Sequence, residues 1–512
     1  MSGARSDISE NNLAQAYARL KPPKSRTGEA VSGVPSHSNS GQSLRPGRRG
    51  QSNIHLPPSL RLDEASGASA GAQIDATSSY RPPSRSERRI AKRAEILQSE
   101  NWLLKRGHTL TYTGVFLFTL TLYFRPYELF PALSGLSSLA LVIAIATLLV
   151  FLPTQFASEG NVTVMTTEVK CVLFLVAWGI LTMPIARDPA LAWQTFVEVF
   201  SKVVLMFIIM VNTLRTPARI KGLVWLAIGV GLMVTYQAID LYLRGEFKTE
   251  GYRVSVDFGG MFGNPNDLAM HLAIVTPLAI VLALASKNFL SKIAYFSFAA
   301  VMMVGNMVTQ SRGGFLGLVA AGGVLTWKLG RRKRLKAVMI LLLFGVSFLA
   351  FAPNNYGVRI LSIFDTSLDP VGSTDQRTEL LKRSILVTLR NPQGIGLGNF
   401  PVVGQGNRQT HNSYTQVSSE LGWLCFAAYL IFLLSPFRKL SMIERELDEA
   451  NEHSWNYFMA IGVAAALAAY MASSFFGSVA YHWYAYYPIA FAICLRRLHA
   501  EWSVQRSGET GV

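Results

Sequence analysis

Charge is what this chain has least of. Only 15% of its 512 residues are charged, against about 25% in soluble domains. Acidic residues are the scarcer sign, 31 against 48 Lys and Arg, which leaves a formal net charge of +17. Half of the chain is hydrophobic. That composition excludes a wholly disordered protein and an ordinary soluble enzyme, and it points to a polytopic membrane protein. Cysteine is nearly absent. Cys171, Cys425 and Cys494 lie far apart in apolar runs, with no CxxC pair and no metal-ligand spacing, so a disulfide scaffold and a zinc module are excluded.

The apolar residues are unevenly placed. Residues 1–85 are rich in Ser, Gly, Pro and Arg, as in Arg45-Pro46-Gly47-Arg48-Arg49. They lack the apolar content to offset an ordering cost, which predicts disorder. From Ser86, Ile90, Ala94, Leu97 and Leu104 recur at helical offsets among Arg88, Arg89, Lys92, Arg93, Lys105 and Arg106. Two readings stand for this stretch, a basic amphipathic helix on an anionic leaflet and a solvated linker whose charge fixes topology. Together residues 1–107 form a basic tail, and the first long apolar run begins near Leu110, so no cleavable signal peptide is expected.

A bilayer-spanning helix needs about 20 apolar residues. Such runs fall near 109–124, 133–152, 168–186, 192–213, 219–242, 265–285, 290–310, 313–328, 335–353, 412–435, 455–477 and 481–496. The expectation is an all-α membrane protein of about twelve transmembrane helices in a membrane domain over 108–500, followed by a cytoplasmic tail at 501–512. Alternate connections concentrate the cations: Arg215, Arg219 and Lys221, then Lys287 and Lys292, then Lys328 to Lys336, then Arg438 and Lys439. Basic loops stay inside, so both termini are expected in the cytoplasm. The longest connection, 354–411 between spans nine and ten, is then expected outside. Within it Ser373-Thr374-Asp375-Gln376 has capping-box spacing, and Leu381, Ile385 and Leu389 recur every four residues, which predicts a short amphipathic helix. Asn391-Pro392 and the glycines at 394, 396 and 398 end it. Gly394-Ile395-Gly396-Leu397-Gly398 follows a helix rather than a strand, so a dinucleotide site is excluded by context.

Ionisable groups near the outer ends of spans are functional candidates by default. Arg312 sits at a tight corner, Ser311-Arg312-Gly313-Gly314, whose glycines would let a ligand approach the guanidinium. Arg253 precedes Gly263-Asn264-Pro265-Asn266. Asn264 reads as an N-cap and Pro265 as the first helical residue, so a positive helix end beside an arginine forms an anion site. Asp267 and His271 share a face and read equally as a local hydrogen-bonded pair. His411 opens a span beside the other cations and is a candidate proton acceptor. Glu420 lies about 13 Å further along that helix and about opposite His411, so it is expected to pair with a buried arginine or with Gln416. Glu198 and Lys202, an i,i+4 pair, read as structural.

These segments, taken in order with Arg377, Asn399-Phe400 and His411-Asn412-Ser413-Tyr414…Glu420-Leu421-Gly422, resemble the successive signatures of the O-antigen ligase and O-antigen polymerase superfamily over roughly residues 200–440. The resemblance implies a bacterial glycosyltransferase in the cytoplasmic (inner) membrane, acting on its outer side. Glycan would pass from a polyprenyl-diphosphate-linked donor to a lipid-linked acceptor in a ligase, or to a carrier-linked glycan in a polymerase. It implies functional roles for Arg253, Arg312, Arg377 and His411. The basic N-tail lies outside the family pattern and is free to meet other polysaccharide-assembly proteins.

That chemistry suits the residues. Arginines and a helix N-terminus hold phosphates, and a neutral histidine removes a hydroxyl proton. Arg312 and His411 are therefore expected to be catalytic, and Arg253, Asn264, Arg377 and Glu420 to bind substrate. No DxD motif is expected outside, so transfer is expected to need no metal or other cofactor and to invert the anomeric carbon. Membrane lipids are expected partners and nucleic acid is not. The rival reading is a multi-span transporter or flippase of lipid-linked glycan or a small solute. Its usual central cytoplasmic loop and repeated halves are not evident in this sequence.

Overall fold

The computed structural model describes residues 102–125, 139–247, 249–256, 262–331, 334–352, 356–362 and 373–509. The expected tail over 1–85 and most of the juxtamembrane segment lie outside these. All regular structure among the described residues is helical, apart from one bridge between Thr249 and Arg253. The helices are α1 (Trp102–Phe124), α2 (Leu139–Glu159), α3 (Thr167–Thr182), α4 (Pro189–Thr213), α5 (Pro217–Leu243), α6 (Pro265–Ala285), α7 (Phe289–Val308), α8 (Arg312–Leu329), α9 (Arg334–Ala350), α10 (Tyr356–Leu361), α11 (Ser373–Arg390), α12 (Ser413–Glu449), α13 (Trp455–Ser473) and α14 (Trp483–Glu509). Among the described residues, eight of these are long and apolar enough to cross a membrane: α2 to α7, α12, and α13 with its terminal turn. The other four expected spans coincide with α1, α8, α9 and α14, which are helical but outside that set; α9, for one, has 17 residues.

Seven of the starts have a visible local cause. Thr166, Asp188, Thr216, Asn264, Asn288, Ser311 and Asn412 each accept a backbone N–H of the helix that follows, through a side-chain oxygen, the usual role of an N-cap. Pro265 then takes the first helical position, where its missing N–H costs nothing.

Helix α6 is the axle of the bundle. It is apolar on all sides, and its residues from Leu268 to Ala279 are buried. It packs against α5, α7, α8 and α13. Small residues allow the closest contacts: a methyl added at Gly314 of α8 would stand 2.5 Å from the Ala269 Cβ and 2.9 Å from the Asn306 side chain. Gly313 likewise packs closely, a methyl there standing 3.0 Å from the Phe476 Cβ and 3.3 Å from the Ser473 carbonyl, so both glycines serve close packing.

The two ends of the bundle differ in chemistry. At one end, charges are consumed in ion pairs. Glu159 meets Arg215 at 2.9 Å and Arg497 at 3.1 Å, Lys439 meets Glu168 at 2.7 Å, and Lys328 and Arg331 both reach Glu444. At the opposite end stand Arg253, Arg312, Arg377 and His411. Helix α12 extends beyond its expected end near 435 to Glu449, because its last turns carry the acidic partners of this ion-pair layer.

Candidate active site

Three elements build the site. The first is the turn Thr249–Arg253, which folds back on itself with Thr249 and Arg253 bridged. It buries Arg253, whose Nε donates to the Thr309 carbonyl at 3.1 Å and whose Nη2 donates to Asn266 Oδ1 at 2.8 Å. Its third nitrogen lies 3.6 Å from Glu250. Glu250 also accepts from Arg359 at 2.8 Å and from the Tyr252 hydroxyl at 2.7 Å. Burial in this pocket lowers the Arg253 pKa, opposed by the Glu250 carboxylate.

The second element is the corner Ser311-Arg312. Ser311 caps α8 and donates its hydroxyl to Asn266 at 2.9 Å, while the Tyr356 hydroxyl donates to the Ser311 carbonyl at 3.0 Å. Arg312, the first residue of α8, is thereby held buried against the site. Asn264 Oδ1 accepts its own helix's Asn266 N–H at 2.9 Å. It stands at the rim of the pocket as a cap, and the side chain that joins the arginine network is Asn266.

The third element is the segment from α11 to the start of α12. Helix α11 brings Arg377 into the cluster. His411 takes a left-handed backbone conformation, φ 52°, with its N–H donating to Ser478 Oγ at 2.8 Å. Non-glycine residues rarely adopt that conformation, and it recurs at functional positions. Asn412 then caps α12 through the Tyr414 and Thr415 N–H groups.

Two chambers meet here. One, of about 320 Å³, is polar, with Glu250, Arg253, Asn264, Asn266 and Arg408 in its wall. The other, of about 240 Å³, combines Arg312 with the apolar Leu381, Phe475 and Phe476. Arg377 and His411 belong to both walls. Burial, then the charges of Arg377 and Arg408, push the His411 imidazole down to about 4. Burial, then Arg253, Arg312 and Arg359, lower Arg377 to about 10. The setting is an electropositive pocket around a neutral histidine, with Glu250 as the carboxylate that braces it. Among the described residues, no three His, Cys, Asp or Glu side chains gather as a metal-ligand set.

Glu420 is placed elsewhere, and its expected partner is corrected. Its carboxylate accepts the Gly398 N–H at 2.9 Å and the Phe400 N–H at 3.4 Å, and Gln416 accepts the Ala480 N–H instead. The reason is a break in α12. Gly422 has φ 83°, and the glycine turn inserts at the break: Ile395 N–H donates to the Ser419 carbonyl, Gly396 N–H to that of Glu420, and Trp423 N–H to that of Pro392. Unwound backbone at membrane depth survives only where protein satisfies its polar groups. Glu420 is a bracket for that turn and lines neither chamber. The Asp267–His271 pair is not formed either. His271 instead packs against Tyr123 and Phe262.

Over residues 297–430 the chain matches the O-antigen ligase family. That stretch carries Arg312, Arg377, His411 and Glu420. The chain is also 25% identical, over 281 residues, to an O-antigen polymerase of Salmonella muenchen, a stretch covering 49% of this chain and 69% of that protein. Both likenesses are to the O-antigen ligase and polymerase superfamily. That likeness supports a role in polysaccharide biosynthesis as a multi-pass bacterial membrane protein, glycosyltransferase-like and directed at lipid-linked glycan. It disfavours the transporter reading. Sequence reasoning missed Glu250, Asn266, Arg359 and Arg408. Glu250 had a faint signal in the Glu250-Gly251 turn three residues before Arg253; the others acquire meaning only through contacts across the fold.

Proposed function

We propose that this protein transfers glycan from a polyprenyl diphosphate to an acceptor hydroxyl on the outer side of the cytoplasmic membrane, without a metal and with inversion. The observation that carries the reading is that Arg377 and His411 stand in the walls of both chambers. The chamber with Arg312, Leu381 and Phe475 suits a diphosphate joined to an apolar chain. The polar chamber suits a sugar. The two substrates then meet at the shared wall.

The residues divide the work. Arg312 and Arg377 hold the diphosphate oxygens and stabilise charge as the leaving group departs. Arg253 orders Asn266 and the positive end of α6. His411 takes the proton from the acceptor hydroxyl as its oxygen forms the bond to the anomeric carbon and the carbon–phosphate oxygen bond breaks. A neutral imidazole is required for that step. An arriving diphosphate offsets the surrounding arginines and raises the basicity of His411, so donor binding itself readies the base.

The same reading takes about twelve spans, both termini inside and 354–411 outside, with the basic 1–107 tail in the cytoplasm. Purified protein in nanodiscs, given carrier-linked glycan, should lose about 10²-fold or more of its turnover on His411→Ala and keep it when chelator is added. Full activity of His411→Ala would remove the base from the scheme, and loss on chelation would put a metal at the diphosphate. Gel analysis of surface glycan after gene deletion separates the two branches. Carrier-linked single repeats mark a polymerase, and long unattached chains mark a ligase.

A further inference from the structure

A cavity of about 400 Å³ lies apart from the two chambers. The first turn of α6 contributes to both places, with Asn266 in the polar chamber and Asp267 here. Arg125, Glu198, Lys202, His482 and Trp483 join Asp267 in its wall, and apolar residues of α1 and α2 complete it. Nothing in the glycan-transfer scheme uses these groups.

Glu198 and Lys202 call for an explanation. They lie well inside α4, a helix apolar enough to span a membrane, yet both side chains are exposed. The pairing expected between them is not made: Glu198 accepts from the Gln194 side chain at 3.2 Å. Charges on a spanning helix face a polar cavity or a partner, since facing lipid costs several kcal/mol. Helix α4 also widens to a π turn at Phe196–Phe200, around Glu198, and such turns are concentrated at functional sites. The buried Nδ1 of His482 has no hydrogen-bond partner among the described residues.

The lining selects the ligand. It holds two cations, Arg125 and Lys202, and two carboxylates, Glu198 and Asp267. A plain anion would meet Glu198 and Asp267, and a plain cation would meet Arg125 and Lys202. A group carrying both charges on one short stem satisfies both sets. Trp483 adds an aromatic surface suited to an ammonium, and the apolar wall between α1 and α2 suits acyl chains.

We propose that this cavity seats the zwitterionic headgroup of a phospholipid, its phosphate toward Arg125 and Lys202 and its primary ammonium toward Glu198 and Asp267. The proposal stands whether or not the glycan-transfer reading does.

The test is lipid retention. Full-length protein is equilibrated with mixed phosphatidylethanolamine and phosphatidylglycerol, re-purified, and its bound lipid quantified by mass spectrometry. Wild type should enrich phosphatidylethanolamine at least about tenfold, the effect of one charge-assisted hydrogen bond. Glu198→Gln with Asp267→Asn leaves only the cations and should reverse the preference toward phosphatidylglycerol. Lys202→Gln should reduce retention of both lipids. No preference in the wild type would overturn the proposal, and that measurement needs no variant to fold. So would a double variant that retains phosphatidylethanolamine as the wild type does, or a cavity found to hold glycan.

Discussion

Removing the Glu420 carboxylate tests whether that residue binds substrate or braces the turn. Its two oxygens accept the N–H groups of Gly398 and Phe400, at 2.9 and 3.4 Å, in a fully buried setting. Glu420→Ala strands both donors. A buried donor left unsatisfied costs about 1–3 kcal/mol, and the longer bond belongs at the low end, so the loss is about 2–5 kcal/mol. Glu420→Gln keeps one acceptor oxygen but turns an amide N–H₂ toward the other donor, and should cost about half as much. The backbone bond from Gly396 N–H to the Glu420 carbonyl survives in both. Thermal unfolding in nanodiscs should therefore rank wild type above Glu420→Gln above Glu420→Ala, and limited proteolysis should open the Ala variant first at residues 392–400. Protein that stays folded should keep a nearly normal KM for donor. An unchanged unfolding midpoint with a large rise in KM would refute the bracket and return Glu420 to the substrate.

The site makes its own pH profile. With His411 at about 4 and Arg377 at about 10, kcat/KM should be level near neutrality, fall as pH drops through about 4 and the imidazole protonates, and fall as pH rises through about 10 and the guanidinium loses its charge. Arg408→Gln removes one of the cations that depress His411, so the acid limb should move to higher pH; a limb that stays in place or moves down would contradict the assigned cause. Arg312→Lys keeps the charge but loses the planar two-pronged contact, and turnover should fall about 10²-fold, measured against donor affinity in the same preparation. A reporter fused within 363–372 should be active only outside the cytoplasm and one fused after Arg334 only inside, since the Lys328–Lys336 cations mark the inner face; reversed signals would invert the site's assignment.

What could be read from the sequence was local. Helix α6 starts and ends at the residues expected, because Asn264-Pro265 is a self-contained start signal. Helix α11 starts at Ser373 and the chain turns after Arg390, as the cap and glycine signals indicate. Arg312, Arg377 and His411 were placed together because each lies at the same end of its own segment, and span parity carries that information. The interior of the site was not legible. Glu250 became the counter-charge of two arginines only once a five-residue turn folded against α10. The packing role of Gly313-Gly314 is not legible in the sequence, because a small residue at a corner permits a ligand or a neighbouring helix equally well, and only the position of Ala269 shows the helix contact. The partners of Glu420, the Gly398 and Phe400 N–H groups, are hidden for a similar reason. Its helix reads as one continuous apolar run, and no periodicity announces that a turn some twenty residues upstream will be inserted into it.

That insertion bears on how the protein could be re-engineered. The glycine turn is joined by backbone to the broken part of α12, and Asn399 ties it to the start of α4, donating to the Asp188 carbonyl at 3.1 Å while accepting the Asp188 N–H. In chain order it belongs to the long connection over 354–411; in bonding it belongs to the helix bundle. A chimera that exchanges the whole of 354–411 with a relative would import a turn cut for another helix break. The natural seam lies just before Asn391. Grafts that stop there exchange α10, α11 and the chamber surfaces they carry, and leave the host's own turn seated in its helix.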